Sequence, residues 1–136
     1  MGHLRELVGS ALLESTAAVD LNGAPGTETG LFTVPAGKIA IVTSIIIRNM
    51  SADAAAAVVT FGKTGGACDE FRGDQTLSGL SAAGKYAEVY LDQGTNDTPE
   101  AADEFVAADV VGIEITTAAG GACTCTMDVF GYLVDA

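Results

Sequence analysis

Few side chains in this sequence have the types and spacing that catalysis requires. The chain contains a single histidine, His3, close to its first residue, and it contains no tryptophan. Nucleophilic triads and dyads depend on an oriented imidazole, so one histidine at the terminus argues against them and against histidine-rich zinc or iron sites. Carboxylate pairs can hydrolyse glycosides, but the acids here fall in loops or at outward strand positions. The sequence therefore predicts a protein that is not an enzyme, without catalytic residues or cofactors.

The three cysteines, Cys68, Cys123 and Cys125, are better suited to burial than to chemistry. Cys123 and Cys125 are two residues apart, so on a strand they share one face and cannot easily bridge each other. A zinc site would need a fourth ligand and a CxxC-type knuckle, and the chain supplies neither. We expect reduced, buried cysteines, with a disulfide from Cys68 to Cys123 or Cys125 as the open alternative.

Two other stretches suggest ligand binding on first inspection. Residues 92–104 are rich in the hard oxygen ligands that calcium prefers, but their spacing does not match an EF-hand loop. We therefore expect a solvated acidic loop and no metal site, with calcium binding there as the alternative. Arg72-Gly73-Asp74 spells an integrin-binding tripeptide, which we interpret as a turn because such short motifs arise often by chance.

The composition limits the class of protein and its partners. With 136 residues, 49% of them hydrophobic and 18% charged, the chain is long and apolar enough for one globular domain. Six basic residues against eighteen acidic ones give a net charge of −12. Such a chain lacks the cations that contacts with phosphates or anionic lipids require, so we expect neither nucleic acid nor a membrane as partner. The first residues do not resemble a secretory signal, so we expect synthesis in a cytoplasm.

Extended segments separated by turns account for most of the chain. A short apolar strand ends at Val34, the turn Pro35-Ala36-Gly37 follows, and a long run of β-branched residues fills 39–49. The period of two predicts a core face made of Ile39, Ile41, Thr43, Ile45 and Ile47, and an opposite face made of Ala40, Val42, Ser44, Ile46 and Arg48. Further strands are expected at 11–21, 54–62, 85–92, around 111–116 and at 123–134.

Eight to ten strands without an interior helix predict an all-β fold. We expect a jelly-roll-like antiparallel β-sandwich formed by residues 11–136 as one domain, preceded by an extended N-terminal arm or short helix at 1–10. The sequence alone does not define the order of the strands.

The last strand shares an unusual property with the strand at 39–49, because both carry apolar residues on both faces. Met127, Val129 and Leu133 lie on one face of the last strand, and Phe130, Tyr132 and Val134 lie on the other. We therefore expect the outer surface of a sheet to be covered, either by the N-terminal arm or by a symmetry mate. The candidate interface residues are Leu4, Leu7, Val42, Ile46, Phe130 and Tyr132.

Four segments resemble the small jelly-roll proteins of tailed-phage virions, which include head decoration (cement) proteins and related tail and fibre modules. They are LFTVPAGK at 31–38, the strand at 39–49, VTFGKTG at 59–65 and VFGYL at 129–133. The turn at 35–37 followed by the long strand at 39–49 is also similar to the corresponding part of trimeric jelly rolls of the tumour-necrosis-factor type.

This resemblance implies a structural virion protein that is made in the host cytoplasm. It would bind the head lattice as a homotrimer and stabilise it, with the major capsid protein as its partner and an N-terminal arm reaching a neighbour. The alternative is a receptor- or carbohydrate-binding module of a tail or fibre.

Overall fold

The computed structural model describes residues 10–90 and 101–136, and all regular elements within these ranges are β-strands. Their bounds are β1 (Ala11–Asp20), β2 (Glu28–Thr33), β3 (Lys38–Arg48), β4 (Val58–Lys63), β5 (Arg72–Thr76), β6 (Ala87–Tyr90), β7 (Phe105–Val106), β8 (Val110–Thr117) and β9 (Thr124–Asp135). The predicted arm at 1–10, with His3, Leu4 and Leu7, lies outside the described residues except for Ser10. Most of the predicted acidic loop also lies outside them.

The strands form two antiparallel sheets. The first sheet has the order β1-β9-β3-β6, with the short β7 also paired to β3, and the second has the order β2-β8-β4-β5. Leaving β7 aside, this arrangement of eight strands in two four-stranded layers is that of a jelly roll. The predicted all-β, jelly-roll-like sandwich is therefore confirmed, and the structure supplies the strand order that the sequence did not.

The hydrophobic core lies between the inner faces of the two sheets. Phe61 and Ile113 from the second sheet and Ile45 and Met127 from the first are completely buried in it. In β8 the inward residues alternate with the outward Glu114 as the sequence predicted. Alternation is reliable here because a residue on a regular strand always points to the face opposite that of its neighbours.

The predicted faces of β3 are correct for only one half of the strand. A β-bulge lies between Val42, which pairs with Gly131, and Ser44, which pairs with Phe130, so Thr43 is an extra residue in the ladder. The Thr43 hydroxyl donates to the Phe130 carbonyl oxygen at 3.2 Å. Since one inserted residue inverts the alternation, inward and outward positions exchange at the bulge.

The consequence of the bulge is that the predicted core face was wrong before Thr43 and right after it. Val42 is only 5% exposed and belongs to the core, whereas Ile41 is 40% exposed on the outer face. Beyond the bulge, Ile45 and Ile47 are buried and Ile46 faces outward, as expected.

Two local predictions in the middle of the chain were also wrong. Residues 72–74 are not a turn but the first half of β5, where Arg72 pairs with Phe61 of β4. The Thr116 hydroxyl donates to the Asp74 carboxylate at 3.0 Å. The strand expected from residue 54 begins only at Val58, because the alanines before it form a hydrogen-bonded turn.

The segment 64–71 covers part of the outer face of the second sheet. Gly30, Gly112 and Gly62 are cross-strand neighbours in one row of that face. A Cβ on Gly62 would lie 2.5 Å from the backbone nitrogen of Glu70, so only glycine allows the segment to approach the sheet this closely. The Glu70 carboxylate in turn accepts the backbone N–H of Lys63. Part of the outer side of the second sheet is thus closed by the chain itself.

Candidate interaction surface

The outer face of the first sheet carries three successive cross-strand rows without a charged residue. The first row runs Val106–Ile39–Val134, the second is Ile41–Tyr132, and the third runs Tyr90–Ser44–Phe130–Leu12 across all four main strands. Residues that face each other in antiparallel strands point to the same side of the sheet. We call the nine residues of these rows the apolar face.

The exposed hydrophobic side chains of the described residues are concentrated on this sheet. Leu12 is 53% exposed, Tyr90 50% and Val106 49%, and every other large exposed hydrophobic residue lies on a strand of the first sheet or directly before β6. The second sheet exposes none among the residues described. Scattered surface hydrophobic residues are ordinary, but a contiguous group on one face indicates an interaction site.

An ion pair between the exposed Arg48 and the buried Asp128 lies at the polar border of the apolar face. The next row is Glu88–Ile46–Asp128–Ser15, in which Asp128 is buried. Its carboxylate accepts the Ser15 hydroxyl at 2.5 Å and the Arg48 Nε at 2.7 Å.

These contacts favour the ionised form of Asp128. The hydrogen bond from the Arg48 guanidinium, with a smaller contribution from Ser15, holds the pKa of Asp128 below its usual range against the opposing effect of burial. Asp128 is therefore a paired charge at this border, and the exposed Glu88 is the second acid of the same row.

The structure brings together some of the predicted interface residues and separates others. Phe130 and Tyr132 belong to the apolar face, and Ile46 lies in the adjacent row. Val42 does not belong to it, since the bulge turns its side chain into the core. Leu4 and Leu7 lie outside the described residues. Whether these residues form an interface remains a prediction.

Sequence reasoning missed four residues that dominate the exposed area of the apolar face, namely Leu12, Ile41, Tyr90 and Val106. Ile41 was assigned to the core because the bulge leaves no clear signature in the alternation of apolar residues. Leu12, Tyr90 and Val106 reach the face only through pairing with distant strands. The clearest sequence signal was the run of apolar residues on both faces of β3.

The cysteines lie in two separate places and are free. Cys68 is buried in the segment 64–71, which covers part of the second sheet. Cys123 and Cys125 are buried in the core at the start of β9. Burial raises the pKa of the Cys125 thiol to about 12, and burial together with the nearby carboxylates of Glu28, Glu70 and Glu114 raises that of Cys68 to about 12. These thiols are poor nucleophiles and poor metal ligands at neutral pH.

The remaining surface offers no candidate metal centre within residues 10–90 and 101–136. No group of three or more His, Cys, Asp or Glu side chains there is arranged to hold a metal ion. A groove of about 290 Å³ at the end of the sandwich is lined by alanines, glycines and the single acid Asp53.

No helix among the described residues is long and apolar enough to span a membrane.

Chains in two solved structures are similar to this protein over almost its whole length. A chain of the cyanophage Pam1 capsid asymmetric unit has a TM-score of 0.55 at 14% identity, covering 93% of this chain and 87% of that one. A chain of the capsid of Ralstonia phage GP4 has a TM-score of 0.54 at 16% identity, covering 95% and 89%. These similarities establish a shared fold, the two-layered jelly-roll sandwich. No protein-family model matches the sequence, and comparison with curated proteins gives no match.

Proposed function

We propose that this chain is a structural protein of a tailed-phage virion. In particular, we propose a capsid decoration, or cement, protein that binds the head lattice as a homotrimer and stabilises it. The observation that carries the proposal is the extent of the shared fold, because chains of two phage capsid structures match more than nine-tenths of this chain with the same architecture. The proposed location is the virion, after synthesis in the host cytoplasm, and the proposed partner is the major capsid protein.

The physical properties of the surface are compatible with this role. A protein that binds only the assembled lattice stabilises it by mass action, without chemistry of its own. The apolar face, with Phe130 and Tyr132 on it and Ile46 beside it, offers the apolar contact area that assembly of the proposed homotrimer requires. The net charge of −12 disfavours contact with the packaged nucleic acid, so the proposed binding site on the head is protein.

The test begins with the genes beside the coding sequence, where we expect capsid, portal or protease genes. Heads of that phage produced without this protein are then mixed with the purified chain, and bound protein is measured by sedimentation. We expect saturable binding and a higher temperature of DNA release, because the ligand stabilises the assembled state. Heads that already carry the protein are the control, and their release temperature should not change.

Two results would contradict this proposal. The first is a failure to bind heads at saturating concentration. The second is strong and selective binding on a glycan array without binding to heads, which would favour the receptor- or carbohydrate-binding module instead. The exposed Tyr86 and Tyr90 are the side chains on which a sugar ring would stack in that case.

A further inference from the structure

The two sheets differ sharply in what covers their outer sides. The segment 64–71 packs on the glycine row of the second sheet, so part of that surface is already closed. Within the described residues, Leu12 and Tyr90 of the first sheet each remain at least half exposed. Because removing apolar surface from water lowers the free energy of the system, such a face favours association.

The distribution of charge indicates what kind of partner fits this face. Each chain carries a net charge of −12, so two copies repel each other unless they meet along an uncharged surface. The three rows of the apolar face contain no Asp, Glu, His, Lys or Arg. At the borders, Arg48 pairs with Asp128 and Lys38 pairs with Asp135, so two of the few cations neutralise acids at this sheet.

A basic partner would bind more favourably at an acidic part of the surface than at the apolar face. The excess of acids belongs to the rest of the surface, and a cationic protein gains most by binding there. A second copy of this chain has the opposite requirement, since it must avoid the acids and bury apolar side chains. The apolar face is the described surface that meets both conditions.

We propose that the apolar face of the first sheet is the contact between copies of this chain, centred on Leu12, Ile41, Tyr90 and Phe130. This inference rests on the homo-oligomeric part of the proposed function and names the surface responsible for it. In a trimer, the first sheet of each copy faces the symmetry axis and the second sheet faces outward.

The test is the molar mass of the full-length chain in solution, measured by size-exclusion chromatography with light scattering over a concentration series. We expect the wild type to reach three times the 13.7 kDa of one chain. Leu12→Glu and Ile41→Glu should shift the mass to that of the monomer, because each places a carboxylate in the contact. Thr117→Glu adds the same charge at an exposed position of the second sheet and should leave the oligomer intact.

A second measurement keeps the inference falsifiable if the variants fold poorly. Carbene footprinting of the wild type should show labelling of Leu12 and Tyr90 that falls as concentration rises, while labelling of Thr117 stays constant. A wild type that is monomeric at every concentration overturns the inference. If labelling of the face is then low, residues of the same chain cover it; if labelling is high, the face is free for another protein.

Failure of this contact surface can be distinguished from failure of the proposed virion role. Variants that remain oligomeric while wild-type chains bind heads would refute this contact surface and leave the virion role standing. If the Leu12→Glu variant is monomeric but the wild type does not bind heads, the virion role is refuted and the contact surface stands.

Discussion

A methyl group added at Gly131 should destabilise this fold more than its size suggests. Gly131 is buried in β9, where it pairs with Ala11 of β1 on one side and with Val42 of β3 on the other. A Cβ at this position would overlap the carbonyl oxygen of Ile41 and would lie 3.1 Å from the Val42 Cα. These are backbone atoms of a paired strand, so no side-chain rotation relieves the overlap and β3 must move away from β9.

The size of the effect follows from these contacts. Overpacking in a well-packed interior costs about 1–3 kcal/mol, and the clash with backbone places Gly131→Ala at the upper end of that range. Separation of the strands also weakens ladder hydrogen bonds at the bulge, each worth about 0.5–1.5 kcal/mol. We therefore expect a loss of about 3–4 kcal/mol, a large part of the roughly 5–15 kcal/mol by which domains are stable. The melting temperature should fall by on the order of 10 °C.

Equilibrium unfolding in guanidinium chloride, followed by circular dichroism, measures this difference directly. Gly73→Ala is the matched control, because Gly73 lies on the edge strand β5 and a Cβ there would have no neighbour within 4 Å. The control should change the free energy of unfolding by less than about 1 kcal/mol. If Gly131→Ala is as stable as Gly73→Ala, the close approach of β3 and β9 described here is wrong.

The remaining predictions concern the bulge, the ion pair and the thiols. Val42→Asp should abolish cooperative thermal unfolding because it buries a carboxylate in the core. Ile41→Asp changes the neighbouring residue, whose side chain points outward, and should keep a cooperative transition in dilute solution. If the two variants unfold in the same way, the bulge is wrong. Because the folded pKa of Asp128 is depressed, its contribution to stability is present above the ordinary aspartate pKa and is lost as the pH falls through the folded value. Asp128→Asn should therefore flatten the acid limb of a plot of unfolding free energy against pH, and an unchanged limb would count against the pair. The thiols of Cys68 and Cys125 should resist alkylation in the native protein, and intact mass should be identical with and without reductant; a mass difference of two hydrogens would show a disulfide.

Much of the secondary structure could be predicted because it depends on neighbouring residues. The inward Val89 and outward Glu88 of β6, and the alternation in β8, follow from the period of two alone. The turn at Pro35–Gly37 follows from the fixed φ of proline and the positive φ of Gly37, which is 75°. Local steric preferences are properties of short segments, so they are visible without any knowledge of the fold.

The candidate surface could be predicted only in part, because its composition depends on register. Phe130 and Tyr132 were correctly placed on an outer face, since β9 keeps a regular alternation there. Val42 and Ile41 were exchanged, because whether residue 43 fits the ladder or bulges out is decided by how β3 pairs with β9. Residues 72–74 joined a strand for a similar reason, as pairing with β4 outweighs the turn preference of Gly73.

The sequence by itself determined that this chain forms β-strands, that they enclose a core, and that more apolar side chains are present than a single face can bury. Tertiary structure alone decided which of these side chains remain outside. The bulge at Thr43 and the pairing of Leu12, Phe130, Ser44 and Tyr90 across four strands assemble the apolar face from segments that are far apart in the chain. The physical reason is that alternation specifies two faces for each strand, while only pairing with other strands specifies which face is inside.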